Sequence, residues 1–147
     1  MRTPVTDVPG LVIRGRVAFL PADLDRRYNR ENLPDYANLL ANLVHWALAG
    51  NSPLKLTGPG WFDCNLYEQS GRLVAHVVNL TATRQMPMDE LIPVGPMKLA
   101  LRVPSSAKQA KVKTLVAGTA RNIVVSNGWA EVELGSILDH EVVVLEA

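Results

Sequence analysis

The sequence predicts a mainly β protein: an antiparallel two-sheet β-sandwich preceded by a strand–loop–helix unit, so that the whole chain is of the α+β class. Two observations predict this architecture. Apolar residues recur at helical spacing before Gly50, whereas after Gly50 they alternate with polar residues in short runs. Pairs of turn-forming residues separate these runs. With 147 residues, the chain has room for one ordinary domain, or for a small domain and a fragment of another.

The first fifty residues predict a strand, a polar loop and a helix. Residues 11–20 contain two short β-type runs, of which the second, Val17–Leu20, is apolar without alternation, as in a strand buried on both faces. A polar loop is expected at residues 23–32. Pro34 then begins a helix, where its missing N–H costs nothing, and Gly50 ends it. The apolar face of this helix is formed by Tyr36, Leu39, Leu40, Leu43, Val44, Ala47 and Leu48.

This strand and helix are half of a βαβ unit and cannot build a parallel sheet by themselves. Two arrangements remain open. Either the helix packs across the sandwich, or residues 1–50 are the tail of an α/β domain whose earlier part is not in this chain. The chain opens inside an apolar strand pattern, which favours the second arrangement. The expected division is therefore an α/β tail at 1–50 and a β-sandwich domain at 51–147.

Eight strands are predicted after the helix. Asn127-Gly128 predicts a tight hairpin between two of them. Along Trp129–Leu134 every second residue is apolar, and the same alternation places Met97, Leu99 and Leu101 on one face of another strand. One apolar face toward the core and one polar face toward solvent in each strand is typical of a sandwich. The predicted strands are 53–57, 61–68, 72–80, 96–103, 110–117, 121–125, 129–134 and 140–146.

Composition excludes several classes of function. The net charge is +1, from 15 basic and 14 acidic side chains, which gives no electrostatic reason to expect a nucleic-acid or membrane partner. No apolar run approaches the roughly 18 residues of a membrane span. Cys64 is the single cysteine and stands near no histidine at ligand spacing, so we expect no disulfide, metal or other cofactor. The compartment stays open, although the absence of a disulfide and of a signal-peptide pattern favours the cytoplasm.

The densest polar group in the sequence is Asp23, Asp25 and Arg26, just past the carboxyl end of the predicted buried strand. Ligands of α/β folds usually bind at this position. Two carboxylates two residues apart could coordinate a cation or contact sugar hydroxyls. The alternative is a loop held by its own ion pairs and by carboxylate contacts to loop N–H groups.

Aromatic residues offer a second candidate site. Trp61 and Trp129, together with Tyr67, could form a platform on which sugars stack. The alternative is that these few, scattered rings pack in the core or at its edges.

No catalytic centre is predicted. The sequence contains no G-x-S-x-G elbow and no phosphate loop. Four glutamates alternate with apolar residues in predicted strands, as expected for solvated faces rather than for glycosidase acids. These are Glu68, Glu131, Glu133 and Glu141. Asn79-Leu80-Thr81 matches the glycosylation sequon.

Several segments, in this order, resemble one known group of proteins. They are Gly15-Arg16-Val17-Ala18-Phe19-Leu20-Pro21-Ala22-Asp23-Leu24-Asp25-Arg26, Leu39-Leu40-Ala41-Asn42-Leu43-Val44-His45-Trp46-Ala47, Leu73-Val74-Ala75-His76-Val77-Val78-Asn79-Leu80-Thr81, Ile92-Pro93-Val94-Gly95-Pro96 and Asp139-His140-Glu141-Val142-Val143. The order resembles the C-terminal region of bacterial glycoside-hydrolase-like proteins of the β-galactosidase trimerisation-domain type. In that family a (β/α)₈ catalytic barrel precedes an amidotransferase-like α/β domain, and a β-sandwich ends the chain.

The resemblance implies that residues 1–50 are the last strand and helix of the α/β domain. The family's catalytic acids belong to the barrel, so no catalytic residue is carried over to this chain. The expected function is therefore a non-catalytic accessory and oligomerisation region of a carbohydrate-active protein. Its expected partners are the upstream catalytic barrel of the parent protein and further copies of the chain, and carbohydrate is a further candidate partner. Three alternatives remain: a carbohydrate-binding module that uses Trp61 or Trp129, a free-standing protein-interaction domain, and a small hydrolase site at Asp23 and Asp25.

Overall fold

A computed structural model of the chain describes residues 7–82 and 90–147. The chain divides into two compact units, Met1–Ser52 and Pro53–Ala147. Among the described residues, the first unit contains two short strands and two helices, and the second contains eight strands.

The first unit begins with an antiparallel hairpin. Strand β1 (Val12–Arg14) pairs with β2 (Val17–Phe19), and the turn between them places Gly15 at φ +59°. The prediction of a strand buried on both faces is wrong for this part of the chain. Val17 and Phe19 are 68% and 62% exposed, because among the described residues the strand pairs only with β1, in a two-stranded sheet.

The segment predicted as a polar loop forms a helix instead. Helix α1 (Leu24–Glu31) ends at Asn32, which has a left-handed φ of 52°. Most of its residues are charged or amide side chains, and Leu24 and Tyr28 are its apolar positions. One apolar pair at i, i+4 gives too little periodicity to be recognised as a helix.

The second helix lies where the sequence predicts it. Helix α2 (Pro34–Leu48) has Pro34 in its first turn and ends at Ala49, one residue before the predicted glycine. Nη1 of Arg16 donates a hydrogen bond of 2.7 Å to the carbonyl oxygen of Trp46 in the last turn of the helix, which also accepts one of 3.2 Å from the backbone N–H of Ala49. Neither helix has a buried residue, and none of the described helices is long and apolar enough to cross a membrane.

The second unit is the predicted antiparallel β-sandwich, and all eight predicted strands are present. In hydrogen-bonded order the strands are β3-β6-β9-β8-β7-β10-β5-β4. Strand β8 pairs with β7 along six residues and with β9 only at its end, so that it joins a first layer of β3, β6 and β9 to a second layer. The strands are β3 (Leu54–Thr57), β4 (Phe62–Gln69), β5 (Arg72–Asn79), β6 (Met97–Arg102), β7 (Gln109–Thr114), β8 (Thr119–Ser126), β9 (Trp129–Leu134) and β10 (His140–Glu146).

Both layers contribute alternate residues to one core. On β9 the inward residues are Ala130, Val132 and Leu134, as the alternation predicts. The largest fully buried side chains come from five strands, and their removal from water stabilises the fold. They are Leu99, Leu101, Leu145, Val77, Val112, Val132 and Val143.

Asn79, at the end of β5, is a buried polar residue. It is 8% exposed, and its side-chain nitrogen donates hydrogen bonds to the carbonyl oxygens of Ile92, Ile137 and Leu138 at 2.8–3.0 Å. Its side-chain oxygen accepts one of 3.0 Å from the backbone N–H of Thr81. One amide group therefore holds two points of the β5–β6 connection to the β9–β10 connection.

Glu141 is a second buried polar residue, and its assignment to a solvated face is wrong. It shares the inward face of β10 with Val143 and Leu145 and is 5% exposed. Its carboxylate accepts hydrogen bonds from the backbone N–H groups of Val116, Ala117 and Val142 at 2.8–2.9 Å. The carboxylate thus provides the hydrogen-bond acceptor that water would otherwise provide for the N–H groups of the turn between β7 and β8.

Candidate functional site

Trp129 lies on the outer face of the first layer, beside two cations. Arg102 is its partner in the β6–β9 register, and the guanidinium carbon lies 4.8 Å from the centre of the indole ring. The ammonium nitrogen of Lys55, on β3, lies over the same ring at 4.7 Å. Both cations point outward because their neighbours in sequence fill the core. Contacts of this kind hold a cation at an aromatic ring.

The same face continues along β9 as a row of charged side chains. Lys98 on β6 pairs with Glu131 at 3.8 Å, and Glu133 follows two residues later. A shallow depression of about 300 Å³ lies here, lined by Lys98, Glu131 and Glu133 among others. Between the charged positions Ala100 is only 8% exposed, although it faces outward.

We define the Trp129 face as the outward residues of β3, β6 and β9. Their register forms three rows across the strands. Trp129 is a candidate from the sequence alone. The cations around it could not be predicted, because strand pairing brings Lys55 and Arg102 together from distant parts of the chain. The Trp129 face consists of Lys55, Thr57, Lys98, Ala100, Arg102, Trp129, Glu131 and Glu133.

The other aromatic candidates lie elsewhere in the sandwich. Trp61 follows Gly60 in the connection from β3 to β4, and its side chain is 44% exposed. Its backbone N–H donates to Oγ1 of Thr81 at 3.0 Å. Tyr67 stands on the outer face of the second layer, in edge-to-face contact with His76 at 5.6 Å. Tyr67 and Trp129 therefore belong to opposite outer faces and form no common platform.

The acidic candidates lie in the first unit. Asp23 occupies the N-cap position of α1 without a side-chain capping hydrogen bond, and its carboxylate is 3.6 Å from Nη1 of Arg26 with both side chains exposed. Asp25 lies in the first helical turn, where a negative charge favours the helix dipole. Within residues 7–82 and 90–147, no group of three His, Cys, Asp or Glu residues could hold a metal ion. Asp23 and Arg26 thus form an exposed ion pair at the start of a helix, and a ligand-binding role for Asp23, Asp25 and Arg26 stays a prediction.

Cys64 is half-buried on the inward face of β4. Burial, and to a lesser degree the neighbouring Asp63 carboxylate, raise the pKa of its thiol above the ordinary value. The neutral thiol is therefore favoured in the folded state. Its contribution to stability is present below the pKa of the unfolded chain and is lost as the pH rises through the higher folded pKa.

We expect iodoacetamide to alkylate Cys64 at least about tenfold more slowly in the folded chain than in urea at pH 8, because the thiolate is the reactive form. The rate, measured by mass spectrometry, should keep rising above pH 9. Asp63→Asn is expected to lower the pKa and speed the reaction slightly. Equal rates in the folded and the urea-unfolded chain would contradict this expectation.

The chain matches no protein-family model and no curated protein. Among solved structures it is similar to alpha-L-fucosidase isoenzyme 2 from Paenibacillus thiaminolyticus, with a TM-score of 0.72 and 18% sequence identity. The similarity covers 94% of this chain and 22% of that chain. At this identity the match shows a shared fold. The chain therefore has the fold of a segment of a glycoside-hydrolase chain, and it spans about a fifth of the length of that protein.

Proposed function

We propose that the chain is a non-catalytic accessory region of a glycoside-hydrolase-like, carbohydrate-active protein, and that it acts beside a catalytic barrel. The observation that carries the proposal is the extent of the structural match, which covers nearly all of this chain but a minor part of a glycoside hydrolase. Because the second unit is shorter than the matched share, the match extends into the first unit as well.

The state of the conspicuous carboxylates supports a non-catalytic role. The carboxylate of Glu141 accepts hydrogen bonds from three backbone N–H groups, and Asp23 pairs with Arg26 at the start of a helix. Glu131 pairs with Lys98 on an open outer face. Glycosidase acids need two carboxylates that face each other across a bound sugar, and these groups serve the fold or the surface instead.

The first unit supports association with a partner. None of its residues from 7 to 52 is buried, and apolar side chains on both strands and on α2 face solvent. Such a surface is expected to bind either another domain or another copy of the chain. The large apolar side chains that are exposed here are Val8, Val12, Ile13, Val17, Phe19, Leu33, Leu39 and Val44.

We expect a chain shortened to residues 53–147 to unfold cooperatively and to be monomeric, because the second unit holds the whole buried core. The full chain is expected to associate, either with itself or with the catalytic barrel encoded upstream. Light scattering after size-exclusion chromatography gives the molar mass of the shortened chain and of the full chain. A full chain that stays monomeric alone and with the barrel would contradict the accessory and oligomerisation role.

The catalytic alternative has a separate test. We expect the full chain to hydrolyse no aryl glycoside, including an aryl α-L-fucoside, above the rate without protein. Turnover that is lost in Asp25→Asn would instead place a hydrolase site at Asp23 and Asp25.

A second candidate function is carbohydrate binding, and the arrangement of the Trp129 face favours it. The indole of Trp129 is partly exposed and stands next to charged groups that can form hydrogen bonds, an arrangement in which one end of the ring is apolar and the other reaches solvent. An accessory region with this property would keep the catalytic domain near its substrate.

A further inference from the structure

The geometry points to a binding site for neutral oligosaccharides on the outer face of the second layer, centred on Tyr67. We define the Tyr67 site as the depression lined by Tyr67, Glu68, Gln69, Val74 and His76. The inference rests on the proposed function, since the accessory role in a carbohydrate-active protein gives the class of ligand. It places this binding on the face opposite to Trp129 and requires that the sugar carry no charge.

Two aromatic rings of the site stand at right angles. The ring centres of Tyr67, on β4, and His76, on β5, are 5.6 Å apart, and the planes are inclined by 88°. Tyr67 is 58% exposed, so that much of the phenol ring reaches solvent. A phenol ring is apolar, with negative charge density on its faces, and the C–H groups of a sugar ring can lie against it. The contact with His76 orients the phenol before a ligand arrives, which lowers the entropy cost of binding.

The phenol ring is also accessible in a way that the indole of Trp129 is not. None of the cation–ring contacts within the described part of the chain involves Tyr67 or His76. The ammonium nitrogen of Lys55, in contrast, lies 4.7 Å from the centre of the Trp129 ring. A sugar that stacks on Tyr67 therefore displaces no cation from the ring.

The charges near the ring favour an uncharged ligand. Strand β4 carries two carboxylates, those of Asp63 and Glu68, and no basic side chain. Both would repel a uronate or a sulfate group at the ring. Arg72 follows the turn to β5 and is paired with Glu146 at 3.9 Å, so that its charge is compensated.

Hydrogen-bonding side chains lie on both sides of Tyr67 along β4. The amide of Asn65 donates a hydrogen bond of 2.9 Å to Oδ2 of Asp63, which fixes these two groups relative to each other. On the other side of the ring, the amide of Gln69 can both donate and accept, as sugar hydroxyl groups do. An aromatic ring between two amides thus offers a surface for the C–H face of a sugar and partners for its hydroxyl groups.

The dimensions of the site suit a short oligosaccharide. The depression has a volume of about 380 Å³, within the range of small-ligand sites. The outward row of β4 from Asp63 to Gln69 is about 20 Å long. Since β4 is the last strand in the hydrogen-bonded order, a ligand longer than the depression can continue along this row.

The test uses calorimetric titration of the full chain with two neutral trisaccharides, cellotriose and maltotriose, and with trigalacturonate as the acidic comparison. We expect at least one neutral trisaccharide to bind saturably, and at least about fivefold more tightly than trigalacturonate. Its affinity should change by less than about twofold as the ionic strength rises, because no ion pair with the ligand is formed.

Variants locate the site. Tyr67→Ala is expected to weaken binding of the neutral trisaccharide at least about tenfold, and Gln69→Ala about threefold. Tyr67→Phe retains the ring and should keep most of the affinity, which distinguishes stacking from a general loss of structure. Val124→Ala, a 75% exposed side chain on the outer face of the same layer, is the matched control and should leave binding unchanged, as should Trp129→Ala. Circular dichroism and thermal melting establish that each variant is folded.

Three results would overturn the inference. They are no saturable binding of either neutral trisaccharide at millimolar concentration, tighter binding of trigalacturonate, and binding that survives Tyr67→Ala. Binding that is lost in Trp129→Ala but kept in Tyr67→Ala would assign the sugar to the Trp129 face instead. None of these results changes the association and hydrolysis outcomes by which the accessory role is judged, so the two failures can be told apart.

Discussion

Asn79→Ala is expected to lower the free energy of unfolding of the sandwich by about 3 kcal/mol, as measured by urea denaturation. The variant removes the donor to the carbonyl oxygens of Ile92, Ile137 and Leu138 and the acceptor for the N–H of Thr81. The carbonyl oxygen of Ile137 keeps the backbone N–H of Val94 as a partner, at 3.0 Å. The cost arises from the loss of these side-chain hydrogen bonds at a position that is 8% exposed.

The isosteric variant Asn79→Asp distinguishes the hydrogen bonds from side-chain volume. It keeps the acceptor for Thr81 but turns a carboxylate oxygen toward three carbonyl oxygens, so we expect it to destabilise at least as much as alanine. Asn65→Ala on the exposed face of β4 is the control and should stay within about 0.5 kcal/mol of the parent. A mild effect of Asn79→Asp would show that the amide contacts contribute little.

Glu141→Ala is expected to cost a similar amount, about 3 kcal/mol, because three backbone N–H groups lose a charged acceptor. The turn between β7 and β8, which contains Val116 and Ala117, should then exchange its amide protons faster. Hydrogen exchange followed by NMR measures this effect at the affected residues.

Glu141→Gln retains one oxygen acceptor and should cost less than alanine, at about half the effect. Glu133→Gln, at an exposed position on β9, is the matched control and should be nearly neutral. If Glu141→Ala proves as mild as this control, the carboxylate is not the group that secures the turn.

The strands could be predicted because each carries its information locally. Asn127-Gly128 alone indicates the β8–β9 hairpin, and the alternation along β9 fixes which residues enter the core. The helix after Pro34 was likewise indicated by its own apolar spacing. Helix α1 could not be predicted because it has only one apolar pair and otherwise polar or charged residues. A polar loop and a short amphipathic helix can have such a sequence equally well.

The polar contacts could not be predicted, since their partners are distant in sequence. Glu141 alternates with apolar residues just as Glu133 does, yet only the position of the 115–118 turn decides that one is buried and the other solvated. Lys55 and Arg102 meet Trp129 only after three strands pair in one register. Trp129 can be identified from the sequence, whereas the charge around it depends on the tertiary fold.

Asn79 also bears on how the protein can be produced. Its side-chain nitrogen is the atom to which the secretory machinery of some hosts would attach a glycan at Asn79-Leu80-Thr81. Glycan transfer and folding would then compete for one nitrogen, since a glycosylated amide cannot make the hydrogen bonds to the carbonyl oxygens of Ile92, Ile137 and Leu138. Removing the sequon through Thr81 would sacrifice its hydroxyl contact with the N–H of Trp61. A host without this modification therefore suits the protein best.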